Sequence, residues 1–280
     1  MSGERSSSPD IAGERYETIR LRLDEGVAWL HLQRPEHGNA LEATMARELA
    51  QATQSLRRSP DLRCLVLTGS GEHFCLGGDL REFSAQGARL PEYVRELVPD
   101  LHRATIALTH LNAPVIAAVN GTAAGAGLSL MCAADIAISA ASARYTLAYT
   151  RVGLSPDGGS TWFLPRIVGT RRAREMALTN RLLTASEALE WGLVGRVVPD
   201  SELEREATET ARKLAAGSLP ALSSARRLLH ESATAASTLE AHLDLEAERI
   251  VETAAGEDVR EGISALLDRR EPHFAHTTAG

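Results

Sequence analysis

Apolar and polar residues alternate from Tyr16 to Leu23 and again from Val27 to Gln33, with Asp24-Glu25-Gly26 between the two runs. Two alternating runs around a short turn predict a β-hairpin. Leu41, Met45, Leu49 and Thr53 then recur at helical spacing, which predicts a helix over Leu41 to Leu56. Leu65 to Leu67 reads as a short strand ending in Thr68-Gly69. Pro91 to Leu111 is helical in pattern, with Val94, Leu97, Leu101, Ile106 and Leu108 on its apolar side and Pro99 as a point where it kinks or splits. Val115 to Val119 and Ile136 to Ile138 are expected as buried strands. Strands alternating with helices predict α/β layers as far as Asp200. From Ser201 onward the patterns are helical only, broken at Gly217 to Pro220 and at Gly256. Leu239, Leu243, Ile250 and Val251 share one partly apolar face there, suited to packing on the core or on a neighbouring subunit. The expected organisation is a disordered tail over 1–15, an α/β core over 16–200 and a helical oligomerisation region over 201–280.

Composition narrows the class. A chain of 280 residues with 44% hydrophobic and 24% charged residues can bury a sizeable core. Its formal net charge of −7 gives no global attraction for nucleic acid or for an anionic membrane. Leu111 to Ala134 carries no charge and is long enough to span a bilayer. However, Pro114, Asn120, Gly121, Gly125 and Gly127 interrupt it, so a buried strand, a glycine loop and a buried helix are expected instead. The first residues lack the apolar core of a signal peptide. Cys64, Cys75 and Cys132 form no C-x-x-C pair, which argues against a disulfide framework or a zinc knuckle. Buried free thiols in a reducing cytoplasm are the expectation, with no metal.

Candidate chemistry lies in three loops. Phe74 to Leu80 contains Gly77-Gly78-Asp79, and Asn120 to Gly127 contains Gly125-Ala126-Gly127 before the apolar run Leu128 to Ala133. Small residues ahead of a helix leave backbone N–H groups uncovered at its positive end. Two such loops together could aim two donors at one thioester oxygen, whereas either alone is as readily explained by tight strand–helix packing. No Gly-Lys-Ser/Thr closes the second loop, and a third glycine is missing, so neither a P-loop nor a dinucleotide fingerprint is present. The third loop, Gly153 to Trp162, holds Asp157 between Pro156 and Gly158-Gly159. Asp157 is either the cap of the following helix or, set among Leu154, Trp162 and Phe163, a proton shuttle. Ser155 lacks the closing glycine of a nucleophile elbow.

Taken in order, Arg34-Pro35-x-x-x-Asn39-Ala40-Leu41, Phe74 to Leu80, Asn120 to Asp135, Pro156-Asp157-Gly158-Gly159, Thr184 to Val194 and Arg260 to Arg270 resemble the enoyl-CoA hydratase/isomerase (crotonase) superfamily. The resemblance covers about residues 16 to 274 and implies a spiral core of ββα units. It also implies an acyl-CoA thioester substrate, no cofactor beyond the coenzyme A of that substrate, and a homotrimer or dimer of trimers. By the same resemblance the oxyanion donors are the N–H groups of Gly78 and Ala126. Contacts to the substrate and its coenzyme A fall at His37, Leu80, Arg81, Gly125 and Tyr149, with Arg269 reaching in from a neighbouring subunit. Asp79 braces its loop.

Hydratases of the family carry glutamates where this chain has Ser129 and Tyr149, and that pair serves water addition. Asp157 is similar to the lone acidic residue of family isomerases, so the resemblance points to double-bond or ring isomerisation. Hydrolytic aryl-CoA dehalogenation, with Asp157 as nucleophile and His102 nearby, is the alternative. A weak hydratase and a non-catalytic acyl-CoA binder are further alternatives.

Overall fold

The computed structural model describes residues 15–232 and 238–274. The expected tail lies almost entirely outside them. The hairpin forms as β1 (Ile19–Asp24) and β2 (Val27–Leu32), antiparallel, with Asp24 opposite Val27. Glu25 and Gly26 at its tip both take positive φ, 48° and 80°, the backbone hand that matches the twist of a two-residue hairpin.

Helix α1 (Ala43–Arg58) starts two residues later than its apolar spacing suggests. Glu42 caps it through the Thr44 and Met45 N–H groups, and Leu41 is left as a bridge to Gly78. Strand β3 (Cys64–Gly69) leads to β4 (His73–Cys75), α2 (Leu80–Gln86) and α3 (Leu90–Thr109). Pro99 neither splits nor ends α3; it sits on the exposed side, where the carbonyl deprived of its partner can reach water. Leu97, Leu101, Ala104, Thr105 and Leu108 form the buried stripe of α3. Ile106, expected on that stripe, is 57% exposed because it falls beside the i, i+3, i+4 rows that Leu101 and Leu108 define.

The chain then repeats one pattern. Strand β5 (Val115–Val119) is followed by β6 (Thr122–Ala124) and α4 (Ala126–Cys132). Next come β7 (Ile136–Ala140), β8 (Arg144–Thr146), α5 (Ser160–Val168) and α6 (Thr170–Thr179). In each repeat the first strand joins one sheet and the second joins another. The larger sheet has the order β1-β2-β3-β5-β7-β10 and the smaller β4-β6-β8-β9. Strand β9 (Leu183–Thr184), helix α7 (Ala185–Glu190) and β10 (Arg196–Val198) complete them. Between β2 and β10 every neighbouring pair in the larger sheet is parallel, and so are β4-β6 and β6-β8. This is the spiral of ββα units that the family resemblance implied.

Alternation along a strand sends neighbours to opposite faces. Leu65 and Leu67 therefore enter the main core with Met45, Leu49, Leu101, Phe74 and Leu128. Cys64 and Val66 enter a second layer with Ile116, Ile138 and the Leu203, Ala207 and Ala211 side chains of α8 (Leu203–Ala215). Although α8 belongs to the all-helical part of the sequence, it closes the open face of the larger sheet and is part of the core. Burial pushes the thiols of Cys64, Cys75 and Cys132 up to about 12, so they stay neutral and unreactive.

The remaining helices are α9 (Leu219–Ser232), α10 (Leu239–Ala254) and α11 (Glu257–Leu267); the breaks before α9 and before α11 fall where the glycines predicted, and the end of α9 at Ser232 was not predicted. Most large apolar side chains of α10 and α11 stay outside: Leu239, Leu243, Ile250, Val251, Ile263, Leu266 and Leu267 are exposed, while Ala265 is buried and Leu219 of α9 packs against the main core. No helix among the described residues is long and apolar enough to cross a membrane. The uncharged stretch from Leu111 is instead β5, β6 and the wholly buried α4.

Candidate active site

Because β4, β6 and β8 lie side by side and run the same way, the segments leaving their C-terminal ends meet at one edge of the smaller sheet. These segments are Gly77-Gly78, Gly125-Ala126 and Leu147 to Tyr149. The two glycine loops touch: a Cβ on Gly77 would lie 3.3 Å from Gly125 Cα and 3.5 Å from Ala126 N. Positive φ at both glycines, 94° and 53°, turns the chain there. Gly127 has a different task, since a Cβ on it would lie 2.3 Å from the Cys75 carbonyl oxygen. Its missing side chain lets α4 sit directly on β4.

The first loop is pinned from outside. Leu41 N–H donates to Gly77 O at 2.7 Å, and Asp79 N–H donates to Leu41 O at 2.8 Å. Gly78 N–H, between these two bonds, and Ala126 N–H, at the start of α4, donate to no protein group among the described residues. Two unspent donors on touching loops form a cradle for one anionic oxygen. Phe83 lies over Gly78, where a Cβ would come within 2.8 Å of its ring, and packs edge-on against Tyr93.

Asp79 braces the loop, as expected. It is buried, caps α2 through the Arg81 N–H at 3.1 Å, and pairs with the Arg34 guanidinium at 3.0 Å. Asn39, fully buried with φ of 54°, donates to the carbonyls of Ser70 and His73 and so ties the early loop to the β3–β4 turn. His37, Leu80 and Arg81 line the outer rim of the same loop. Leu76 and Leu80 expose apolar surface there, at 40% and 53%. Arg269 is not brought to these residues within the chain; it lies just past α11, where its backbone N–H donates to Leu266 O.

The cap reading of Asp157 does not hold. Gly159 stands at the start of α5 and no side chain caps that helix. The Asp157 carboxylate turns the other way, to the tyrosine after β8: Tyr149 O–H donates to Asp157 Oδ1 at 2.5 Å. Its backbone oxygen accepts from Ser129 Oγ at 2.9 Å and from Ser160 Oγ at 3.0 Å. Ser129 sits in α4 one turn after Gly125, to whose carbonyl its Oγ lies at 3.3 Å. The serine thus joins the aspartate loop to the second glycine loop. Gly158 permits that approach, because a Cβ there would meet Ser129 Cβ at 2.9 Å.

The apolar surroundings expected for Asp157 are only partly present. Trp162 is 44% exposed and holds the Arg166 guanidinium 3.6 Å over its ring. Tyr149 holds the carboxylate at Oδ1 instead, and Ser129 holds the backbone oxygen of the same residue. The sequence offered no signal for the strut role of Ser129, since a serine inside an apolar helix carries no motif. His102 lies on the exposed side of α3, whereas Leu101 and Thr105 of that helix face Gly158. The aryl-dehalogenation alternative therefore loses the second residue that it invoked.

The sequence model of the enoyl-CoA hydratase/isomerase family matches residues 22–277. The chain belongs to the enoyl-CoA hydratase/isomerase family. Within it, the chain is 43% identical to the Rhodobacter capsulatus protein named "Probable enoyl-CoA hydratase", over 92% of this chain and 98% of that one. It is 38% identical to the 1,2-epoxyphenylacetyl-CoA isomerase of Escherichia coli, again over 92% and 98%. Among solved structures, the enoyl-CoA hydratase of Bacillus anthracis superposes with a TM-score of 0.87 at 32% identity, covering 93% of this chain and all of that one. As a family member the protein is an acyl-CoA-processing enzyme with the crotonase fold.

Proposed function

We propose that this enzyme is an enoyl-CoA isomerase in which Asp157 moves the proton and the Gly78 and Ala126 N–H groups hold the thioester oxygen. The observation that carries this reading is the state of the carboxylates around the cradle. Asp157 Oδ2 is reached by no hydrogen bond or ion pair among the described residues, while Asp79 and Glu42 are used as caps and braces. Where the family's hydratases carry glutamates, this chain has Ser129 and Tyr149, whose hydroxyls lie 3.3 Å apart and are engaged with each other and with Asp157. A single carboxylate suits isomerisation. It takes a proton from the carbon next to the thioester carbonyl, the electron pair spreads onto the cradled oxygen, and the proton returns two carbons further along.

In this reading His37, Leu80 and Arg81 receive the coenzyme A chain along the exposed apolar rim, and Gly125 lets the acyl chain pass close to the backbone. The decisive assay offers the protein a 3-enoyl, a 2-enoyl and a halogenated aryl thioester. Conversion of the 3-enoyl thioester to the conjugated 2-enoyl form is expected. Faster hydration of the 2-enoyl thioester, or release of halide, would replace this reading. Calorimetry is expected to find binding of a coenzyme A thioester and none of the matching free acid. Equal affinity for the two would remove the cradle from its role.

The exposed apolar residues of α10 and α11 are proposed as the face that meets further copies of this chain, with Arg269 at the edge of a neighbour's site. A chain ended at Ala216 keeps α8 and hence both core layers. It is expected to run as a monomer by light scattering, while the full chain runs as a trimer or hexamer. An unchanged size distribution would contradict this.

A further inference from the structure

We infer that Tyr149 is a positioning residue for the base: it occupies Asp157 Oδ1, so that Oδ2 alone handles the substrate proton. The inference rests on the role proposed above for Asp157 and adds which oxygen acts and what aims it. Tyr149 O–H points at Oδ1 at 2.5 Å, and its oxygen lies 3.3 Å from Ser129 Oγ. The serine has one proton, and its shortest contact is to the Asp157 backbone oxygen at 2.9 Å. The phenol proton is therefore free to go to the carboxylate, and a charged acceptor makes that the stronger bond.

The backbone shows that the tyrosine is aimed rather than merely packed. Ala148, just before it, takes φ of 55° and ψ of −13°, a left-handed conformation that is strained for a residue with a Cβ. Tyr149 N–H closes a tight turn onto Leu147 O at 2.7 Å. This turn swings the ring inward, so that a Cβ on Gly125 would lie 4.0 Å from its Cε2. One side chain thus touches the second glycine loop with its ring edge and the base with its hydroxyl. Donor and base keep a fixed relation however the acyl chain enters. Burial, and then the adjacent Asp157 carboxylate, push the phenol well above the usual tyrosine range, so it remains a donor at every working pH.

During the reaction Oδ2 takes the proton from the carbon next to the carbonyl while the C–H electron pair delocalises onto the thioester oxygen. Oδ2 then returns the proton to the carbon two positions further along, and the electron pair closes the new double bond. Tyr149 keeps its proton throughout. Without the phenol the carboxylate can rotate, so ordering is lost while substrate contacts remain.

The test is Tyr149→Phe, read with 3-hexenoyl-CoA by turnover and by uptake of deuterium from D2O into its carbon-bound positions. Turnover and exchange are expected to fall about 10- to 100-fold, the loss expected when a catalytic group is misplaced, with KM changed by less than about threefold because binding contacts stay. Incorporating 3-fluorotyrosine at 149, a stronger donor of the same shape, should shift the infrared carboxylate stretch that Asp157→Asn removes, and serves if the phenylalanine variant folds poorly. Unchanged kcat in Tyr149→Phe, or an unmoved carboxylate band in the 3-fluorotyrosine protein, would overturn the inference. If Asp157→Asn abolishes exchange while Tyr149→Phe leaves it intact, only the role of Tyr149 fails. If Asp157→Asn itself exchanges normally, the proposed base is wrong and the inference falls with it.

Discussion

Asp157→Asn is expected to fold like the wild type, bind acyl-CoA and lose at least about 10²-fold in turnover of a 3-enoyl thioester, the usual loss when an acid/base group is removed. The fold should survive because the carboxylate caps no helix. The bonds that Asp157 makes to Ser129 and Ser160 come from its backbone oxygen, which the substitution keeps. The amide oxygen can still accept from Tyr149. What disappears is the ability of the second atom to take up a proton. Ser129→Ala removes a strut without touching the proton path, so it should cost far less activity. Thermal melting and steady-state kinetics on the two variants check this together. A folded Asp157→Asn protein with near-normal turnover would show that another group carries the proton.

Gly127→Ala is expected to lower both stability and turnover. Its new methyl would lie 2.3 Å from the Cys75 carbonyl oxygen and 2.6 Å from Cys75 Cβ. The nearest obstacle is backbone, so α4 must move away from β4. Overpacking of that kind costs roughly 1–3 kcal/mol. The same movement carries Ala126 N away from Gly78 N, and misplacing one donor of such a cradle costs about 10²–10³ in turnover. Gly153→Ala gives the comparison: φ is +77° there and nothing lies within 4 Å, so about 1 kcal/mol of backbone strain is the whole expected cost to stability. Denaturant melts and kcat measured on both proteins separate lack of space from backbone strain. Full turnover by Gly127→Ala would mean that the two loops do not act together.

Most of the larger sheet was legible because its strands and covering helices are long enough to show a period. The hairpin, β3, β5, β7, α1 and α3 each bury one face or both, and burial writes itself into the order of apolar residues. The smaller sheet was not legible. Strands β4, β6 and β8 have three residues each and β9 has two, too short for alternation to show. Strand β6 even lies inside what reads as a glycine loop. Yet these short strands set the site, because their parallel pairing is what stacks the two glycine loops and Tyr149 on one edge.

By itself the sequence determined which segments would be buried, where the chain would turn, and which small residues could leave N–H groups bare, since these depend on each residue's own chemistry and its near neighbours. Its motifs also placed Asp157 and both glycine loops in one family. Only the tertiary structure decided that Asp157 turns away from its helix toward Tyr149, that Ser129 ties the base to the oxyanion loop, and that α8 closes the sheet. Those are contacts between residues far apart in the chain, and no local period or propensity records the partner that a polar side chain meets once its own strand or helix is packed.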